Sequence, residues 1–189
     1  MRISAYTPRA IWRRHMLYNR TGMRLLSTFN HLRWRTIDIP VLLWPPAHEF
    51  FGMIEAEIRA EEQIVAASDH LIDPQRFEEF VQRVYAIDFA SPRKIALKID
   101  KLTRSPLTVR VLTVRFRRPT MEVQDLLNRL RCKDVHGLKD AIRSRYRDRI
   151  DNYVFDIIIH STETATQGAA VKQLLVEYAT VVDKDEAAT

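Results

Sequence analysis

The chain has 189 residues, of which 46% are hydrophobic and 29% charged, and its formal net charge at pH 7 is +6. This length fits one domain with a hydrophobic core of ordinary size, and the composition excludes a disordered chain. No stretch approaches the ~20 consecutive apolar residues of a membrane-spanning helix, and the single cysteine, Cys132, excludes an internal disulfide.

The basic charge lies at the N-terminus. Residues 1–37 contain eight arginines and no acidic residue, so of 30 basic and 24 acidic residues in all, 22 and 24 remain for the rest of the chain. An Arg-rich, acid-free start with hydroxyl groups is typical of mitochondrial targeting segments. We therefore predict an extended arm over residues 1–37 and a mitochondrial location. The arm residues expected to bind partners are Arg9, Trp12, Arg13, Arg14, Arg20, Arg24, Arg33, Trp34 and Arg35.

The first half of the chain after the arm predicts two strands, each followed by a helix. A strand over residues 37–44 is stopped by Pro45 and Pro46, and a short strand is predicted over 64–67. The intervening helix, 47–62, carries an apolar stripe at helical spacing, made of Phe50, Phe51, Ile54 and Ile58. The next helix is predicted to begin with Asp73 as its cap and Pro74 at its first position.

The second half continues the alternation of helices and strands. Residues 107–116 form the clearest strand, and Arg110 within its apolar face predicts that the strand lies toward a sheet edge or that one of its ends points outward. Residues 154–160 form the last strand, because three consecutive isoleucines favour extended structure. Helices are predicted over 94–102, 121–131, 138–146 and 169–179, with a polar tail over 183–189. Alternation alone favours a parallel, doubly wound sheet.

The end of the last strand is the one place where the sequence suggests chemistry. His160 follows the isoleucines and precedes four small or acidic residues, so its imidazole is expected at the edge of a sheet. The glycines are too scattered for a phosphate-binding loop. No metal site is predicted, because metal-ligand spacing is missing among His15, His31, His48, His70 and His136.

The order of elements and this ending together resemble the nucleoside diphosphate kinases. In that family an Ile-Arg element precedes a strand that ends in Ile-Ile-His and is followed by Gly-Ser-Asp-Ser. Here Ile142 and Arg143 match the first element, while residues 158–160 and then 161–164 match the second. The resemblance implies an α+β fold over residues 38–182, with a ferredoxin-like antiparallel sheet, flanking helices, and the 73–87 helix inserted between the second and third strands.

The resemblance also implies roles for single residues. His160 matches the residue that the family phosphorylates, and Thr162 would lie near its ring. Tyr85 falls where the family has a tyrosine behind the phosphate site. Phosphates would be bound by Arg143 and by Arg129 or Arg131, since guanidinium groups form paired hydrogen bonds to phosphate oxygens.

Four departures from the family pattern indicate a degenerate site. Trp44 stands in place of the phosphate-facing lysine, and Ile157 in place of an asparagine. Ser161 replaces the glycine after the histidine, and Val171 replaces the glutamate that would orient the imidazole. Phosphoryl transfer is mostly positioning and charge stabilisation, so these losses should slow it by orders of magnitude.

We therefore predict a non-catalytic accessory subunit of a larger mitochondrial assembly: a respiratory-chain complex, an ATP synthase or a ribosome. Its partners would be other protein subunits, and it would need no cofactor. One alternative is an active nucleotide phosphotransferase that works through a phosphohistidine at His160, using a nucleotide with magnesium. A second alternative is an RNA-binding protein that uses the basic arm, whose binding would weaken steeply with salt.

Overall fold

The computed structural model describes residues 36–182 except 89, 105, 125–128 and 155, and it describes only the backbone at 122–124 and 129–131. The predicted arm residues and the predicted tail lie outside these residues, apart from Thr36 and Ile37, which begin the first strand. No helix in the described residues is long and apolar enough to cross a bilayer.

Seven strands and five α-helices make up the described chain. The strands are β1 (Thr36–Leu43), β2 (Gln63–Ile72), β3 (Thr108–Arg117), β4 (Met121–Gln124), β5 (Arg129–Cys132), β6 (Ile159–Ser161) and β7 (Ala179–Val182). The α-helices are α1 (Phe51–Glu61), α2 (Phe77–Ile87), α3 (Pro92–Leu102), α4 (Lys133–Tyr146) and α5 (Ala165–Tyr178). Two 3₁₀ helices, Pro45–Phe50 and Arg147–Arg149, precede α1 and follow α4.

Five strands form one antiparallel sheet in the order β6-β1-β3-β2-β7, and β4 pairs with β5 in a separate hairpin. The order β6-β1-β3-β2, with α1 and α4 in the connections, is that of the ferredoxin-like fold. Both α2 and α3 lie between β2 and β3, so the prediction of an antiparallel α+β fold with an inserted helix is confirmed.

The predicted edge position of the 107–116 strand is wrong. β3 lies at the centre of the sheet, between β1 and β2, over nearly its whole length. Arg110 is accommodated there because its guanidinium donates to both carboxylate oxygens of Asp69, each at 2.6 Å, and lies 3.4 Å from Glu55. A charged residue inside an apolar pattern therefore marks a partnered position here and not an edge.

The helix predicted over residues 121–131 is also wrong, since this stretch forms the β4–β5 hairpin. Apolar and polar residues alternate with a period of two in both strands, a pattern that fits strand pairing. Met121 pairs with Cys132, which is buried at the start of α4. The helix predicted over residues 138–146 begins earlier, because α4 runs from Lys133 through Gly137 to Tyr146.

Several element boundaries differ from their predictions for local reasons. The last strand is shorter than predicted, because Asp156 adopts a left-handed backbone (φ 61°) just before the isoleucines. α2 begins at Phe77 and not at Asp73, whose carboxylate instead accepts a hydrogen bond from the Gln75 backbone in a turn. β2 is longer than predicted, and β7 was not predicted.

The hydrophobic core is formed by residues of the sheet and of the helices that cover it. Phe51, Ile54 and Ile58 of α1 are buried as predicted, while Phe50 is half-buried against the core. The predicted apolar face of α2 is buried too: Phe77, Phe80, Val81 and Val84. α5 crosses β1 so closely that a Cβ added to Gly168 would lie 2.7 Å from Pro40 Cδ. This packing brings the end of β1, the end of α2 and β6 together around His160.

Candidate active site at His160

His160 lies on β6, opposite Leu42 of β1, at one edge of the sheet. It is only 4% exposed. Its ring meets the Tyr85 ring edge-on, with the ring centroids 4.7 Å apart, and lies 6.3 Å from the Trp44 ring. Nε2 is 3.5 Å from a carboxylate oxygen of Asp88. The imidazole is therefore enclosed by aromatic side chains.

Trp44 is the largest fully buried side chain at this end of the sheet. It follows β1 directly, and its backbone N–H donates to the carbonyl of Ile158, which fixes it beside β6. Its ring stacks on Tyr85 at a centroid distance of 5.9 Å and meets Phe80 edge-on at 6.1 Å. The indole thus fills the space beside the imidazole with aromatic atoms.

Two basic side chains of α4 approach His160, but each donates to the backbone that flanks it. Arg143 Nη2 donates to the carbonyl of Ile159 at 3.2 Å, and its Nε is 3.6 Å from Asp156. Lys139 Nζ donates to the carbonyl of Ser161 at 3.3 Å and lies 3.5 Å from Glu163. Both residues therefore hold β6 in place, and neither donates a hydrogen bond to the imidazole.

The electrostatics of the site keep the imidazole neutral. Burial holds the pKa of His160 well below its usual value, and the nearby positive charges of Lys139, Lys98 and Arg143 lower it further. Burial also raises the pKa of the Tyr85 hydroxyl above its usual value. Lys98 lies over the Tyr85 ring, 4.3 Å from its centroid. Burial is the main reason that the pKa of Lys98 falls to about 8.

Two hydroxyl groups next to His160 have no hydrogen-bond partner among the described residues. Ser161 and Thr162 are fully buried. Neither Oγ of Ser161 nor Oγ1 of Thr162 makes a hydrogen bond to a described residue. Buried polar groups in folded proteins are nearly always paired, and each exception calls for an explanation. These two groups follow His160 directly, so the polar character of this segment is not accounted for by the packing of the domain.

The structure brings together most of the residues that the sequence singled out. Tyr85 contacts the His160 ring, and Arg143 donates to the backbone carbonyl of the preceding residue, Ile159. Thr162 follows His160 by two residues, and its hydroxyl has no hydrogen-bond partner among the described residues. Arg129 and Arg131 are on β5, and their side chains lie outside the described part of the chain.

Two residues of the site, Lys139 and Asp88, were not found from the sequence. Lys139 precedes Arg143 by one helical turn, and this spacing could have placed both on the face toward β6. Asp88 ends α2 and approaches His160 only through the packing of α2 against the sheet, which no local pattern signals. No group of three metal-ligating side chains lies together in the described ranges.

Comparison with known proteins gives matches only among solved structures. No family model matches the chain, and no curated protein matches its sequence. The nucleoside diphosphate kinase of Aquifex aeolicus is similar over 74% of this chain and 94% of its own, with 14% identity and a TM-score of 0.48. The Borrelia burgdorferi enzyme, in a transition-state mimic with vanadate and ADP, covers 81% and 96% at 11% identity, with a TM-score of 0.44.

Proposed function

We propose that this chain is a non-catalytic structural subunit of a larger mitochondrial assembly, built on a degenerate nucleoside-diphosphate-kinase-like domain. The observation that carries the proposal is the enclosure of His160, which is 4% exposed and lies between Tyr85 and Trp44. Because the imidazole is packed as part of the core, a phosphoryl donor has no room to approach its ring nitrogens.

The chemistry of phosphoryl transfer supports this interpretation. The reaction needs the terminal phosphate in line with a ring nitrogen and positive charge around the transferred group. Trp44 places an apolar indole where the resemblance expects a lysine. The positive charges of Arg143 and Lys139 are instead engaged with backbone carbonyls and with Asp156 and Glu163.

Membership of an assembly is proposed from the N-terminal arm. Its eight arginines have no acidic residue among them to pair with, and its tryptophans suit burial against another surface. Protein subunits of a respiratory-chain complex, an ATP synthase or a ribosome are the partners that we propose. RNA is the alternative partner, because arginines with interleaved aromatic residues also suit nucleic-acid binding.

A phosphorylation assay tests the loss of catalysis. The full chain is incubated with magnesium and ATP labelled at its γ-phosphate, alongside a His160→Gln variant and an active nucleoside diphosphate kinase. We expect acid-labile label on the active kinase only. Acid-labile label on the wild-type chain that is missing in the variant and passes to a nucleoside diphosphate would overturn the proposal in favour of the phosphotransferase.

Fractionation of native complexes tests the assembly. The full chain and a chain lacking residues 1–35 are expressed in its own cells, and whole-cell lysates and a mitochondrial fraction are separated by size before and after ribonuclease treatment. We expect the full chain in a large complex that survives ribonuclease, and the truncated chain free. Release by ribonuclease would assign the arm to RNA. A full chain that migrates alone outside mitochondria would reject the proposed role.

A further inference from the structure

One side of helix α1 carries no charge although it faces solvent. Gly52, Met53, Ala56 and Ala60 lie on that side at helical spacing, and all four are exposed. Met53 is 49% exposed, and outside its own helix no described atom lies within 4 Å of the position that a Cβ at Gly52 would take. These four residues form the uncharged side of α1, and three of them are small enough for another segment to approach the helix backbone closely.

The charged residues that border the uncharged side are already paired within the domain. Arg59 forms an ion pair with Glu55 at 2.8 Å, and Glu57 accepts hydrogen bonds from Arg145 and from the Tyr146 hydroxyl. Because these charges have partners, an apolar segment could cover the uncharged side without leaving them unpaired in the contact.

Carboxylates without an ion-pair partner lie at the end of α1. Glu61 is exposed and Glu62 is half-buried, and neither forms an ion pair within the described residues. Burial raises the pKa of Glu62, and the negative charges of Asp134 and Glu61 raise it further. A cation supplied here would be attracted by both glutamates and by the C-terminal end of the helix.

The N-terminal arm joins the domain beside these carboxylates. Thr36, the first described residue, pairs with Arg117 at the end of β3, and the Arg117 guanidinium donates to the side chain of Gln63 at 3.3 Å. Gln63 begins β2 directly after Glu62. Since neighbouring strands lie about 5 Å apart, the arm meets the sheet roughly 10 Å from the start of β2, a distance that about three extended residues span.

The segment of the arm next to the domain has a composition that complements this surface. Residues 23–35 contain three arginines, no acidic residue and six large apolar side chains: Met23, Leu25, Leu26, Phe29, Leu32 and Trp34. We propose that this segment binds along the uncharged side of α1 in its own chain, with its arginines beside Glu61 and Glu62. Residues 1–22, which hold the other five arginines, remain available to the partners proposed above.

Tethering favours this contact even where its intrinsic affinity is low. α1 has 11 residues and is about 16 Å long, so residues 23–35 are long enough to reach its far end. A short tether gives an effective concentration on the order of 1 mM, so an intrinsic Kd near that value already fills half of the surface. The same side of a second copy is a poorer occupant, because it brings the same unpaired carboxylates.

Cross-linking between introduced cysteines tests the proposal on the full chain. Ser27→Cys in the arm is combined with Ala56→Cys on the uncharged side of α1. The matched control combines it with Val176→Cys, which is 86% exposed on α5, the helix that packs on the opposite face of the sheet. A short bismaleimide links the cysteines, and the native Cys132 is shielded because it is fully buried.

The two pairs should differ clearly. We expect the cross-link within one chain to form at least fivefold faster with Ala56→Cys than with Val176→Cys, at a rate that tenfold dilution does not change. Equal rates for the two pairs would overturn the proposal. A cross-link between chains that increases with concentration would also overturn it, in favour of a second copy on this surface.

A charge substitution tests the role of the glutamates. In the Ser27→Cys and Ala56→Cys background, Glu61→Gln should slow the cross-link roughly twofold at low salt, since one carboxylate no longer attracts the arm. Glu78→Gln, at an exposed position on α2, should leave the rate unchanged. An unchanged rate with Glu61→Gln, or an equal decrease with both variants, would contradict the proposed pairing of the arm with the end of α1.

Discussion

Polar side chains are grouped in two regions of the molecule, at the centre of the sheet and around His160. On β3, Arg110 makes paired hydrogen bonds to Asp69, and Arg115 makes paired hydrogen bonds to Asp38. Around His160, by contrast, the hydroxyls of Ser161 and Thr162 are buried with no hydrogen bond in the described chain. The polar side chains named on β3 are thus paired with each other, whereas the two hydroxyls beside His160 have no described partner.

The two regions differ in which polar groups stabilise the fold. Each arginine named on β3 has a carboxylate partner on a neighbouring strand, so these pairs stabilise the sheet and fix its register. At His160 the basic groups serve backbone carbonyls while the hydroxyls contribute no bond that the described packing uses.

The largest loss of stability is expected when the Arg110–Asp69 pair on β3 is removed. Arg110→Ala removes the guanidinium that pairs with Asp69, while Glu55 keeps its pair with Arg59, and because the Arg110 and Asp69 side chains are only 16% and 18% exposed, the free energy of unfolding should fall by about 3 kcal/mol. Arg115→Ala on the same strand is the control, and a clearly smaller loss is expected at its more exposed pair. Urea unfolding measures both. Equal losses of unfolding free energy would show that burial does not determine how much these ion pairs stabilise the fold.

The second prediction concerns the helix that covers the His160 region. Gly168→Ala should lower the free energy of unfolding by about 1–3 kcal/mol, because the added Cβ would lie 2.7 Å from Pro40 and α5 would have to shift. Gly137→Ala, at an open position on α4, should instead stabilise by about 0.5–1 kcal/mol. Thermal unfolding compares the two. A stabilising Gly168→Ala would mean that α5 packs less tightly on β1.

The third prediction is a pH dependence that distinguishes the enclosed imidazole. Because the pKa of His160 in the folded protein is well below its value in the unfolded chain, only the unfolded chain takes up a proton as the pH falls through about 6.5. Stability should therefore fall between pH 7 and 5, by at most about 2 kcal/mol from this group.

The matched comparison for this pH effect is His160→Gln, which should unfold with a shallower pH dependence than the wild type over the same range. Burial also lowers the pKa of His70, so that residue adds a slope of the same sign to both proteins and cancels in the difference. Chemical denaturation at pH 7, 6 and 5 gives the slopes. Parallel slopes would indicate that His160 is accessible to protons in the folded domain.

The smallest change in stability is expected from a comparison of two threonine hydroxyls, one with a hydrogen-bond partner and one without a described partner. Thr162→Val replaces a buried hydroxyl that has no described partner, so the change should be neutral or stabilise by up to about 1 kcal/mol. Thr164→Val, two residues later, removes the hydroxyl that caps α5 by accepting from the Gln167 backbone and should cost about 1 kcal/mol. A loss of stability in Thr162→Val would show that its hydroxyl is paired after all.

Much of the fold could be predicted from local patterns, and two of the misses have separate causes. The apolar stripes of α1 and α2 and the strand that follows the arm were found because periodicity reports which side of an element is buried. The β4–β5 hairpin was missed because its strands have only four residues each. The central place of β3 was missed because Asp69, the partner of Arg110, comes from another strand.

The sequence by itself determined the apolar faces, the length of the domain and the presence of a histidine after a run of isoleucines, since these are properties of neighbouring residues. Only the tertiary structure decided the strand order, the pairing of Arg110 and the enclosure of His160 by Trp44 and Tyr85. The reason is physical: exposure and electrostatic environment depend on which distant segments pack together, and no local pattern records that choice.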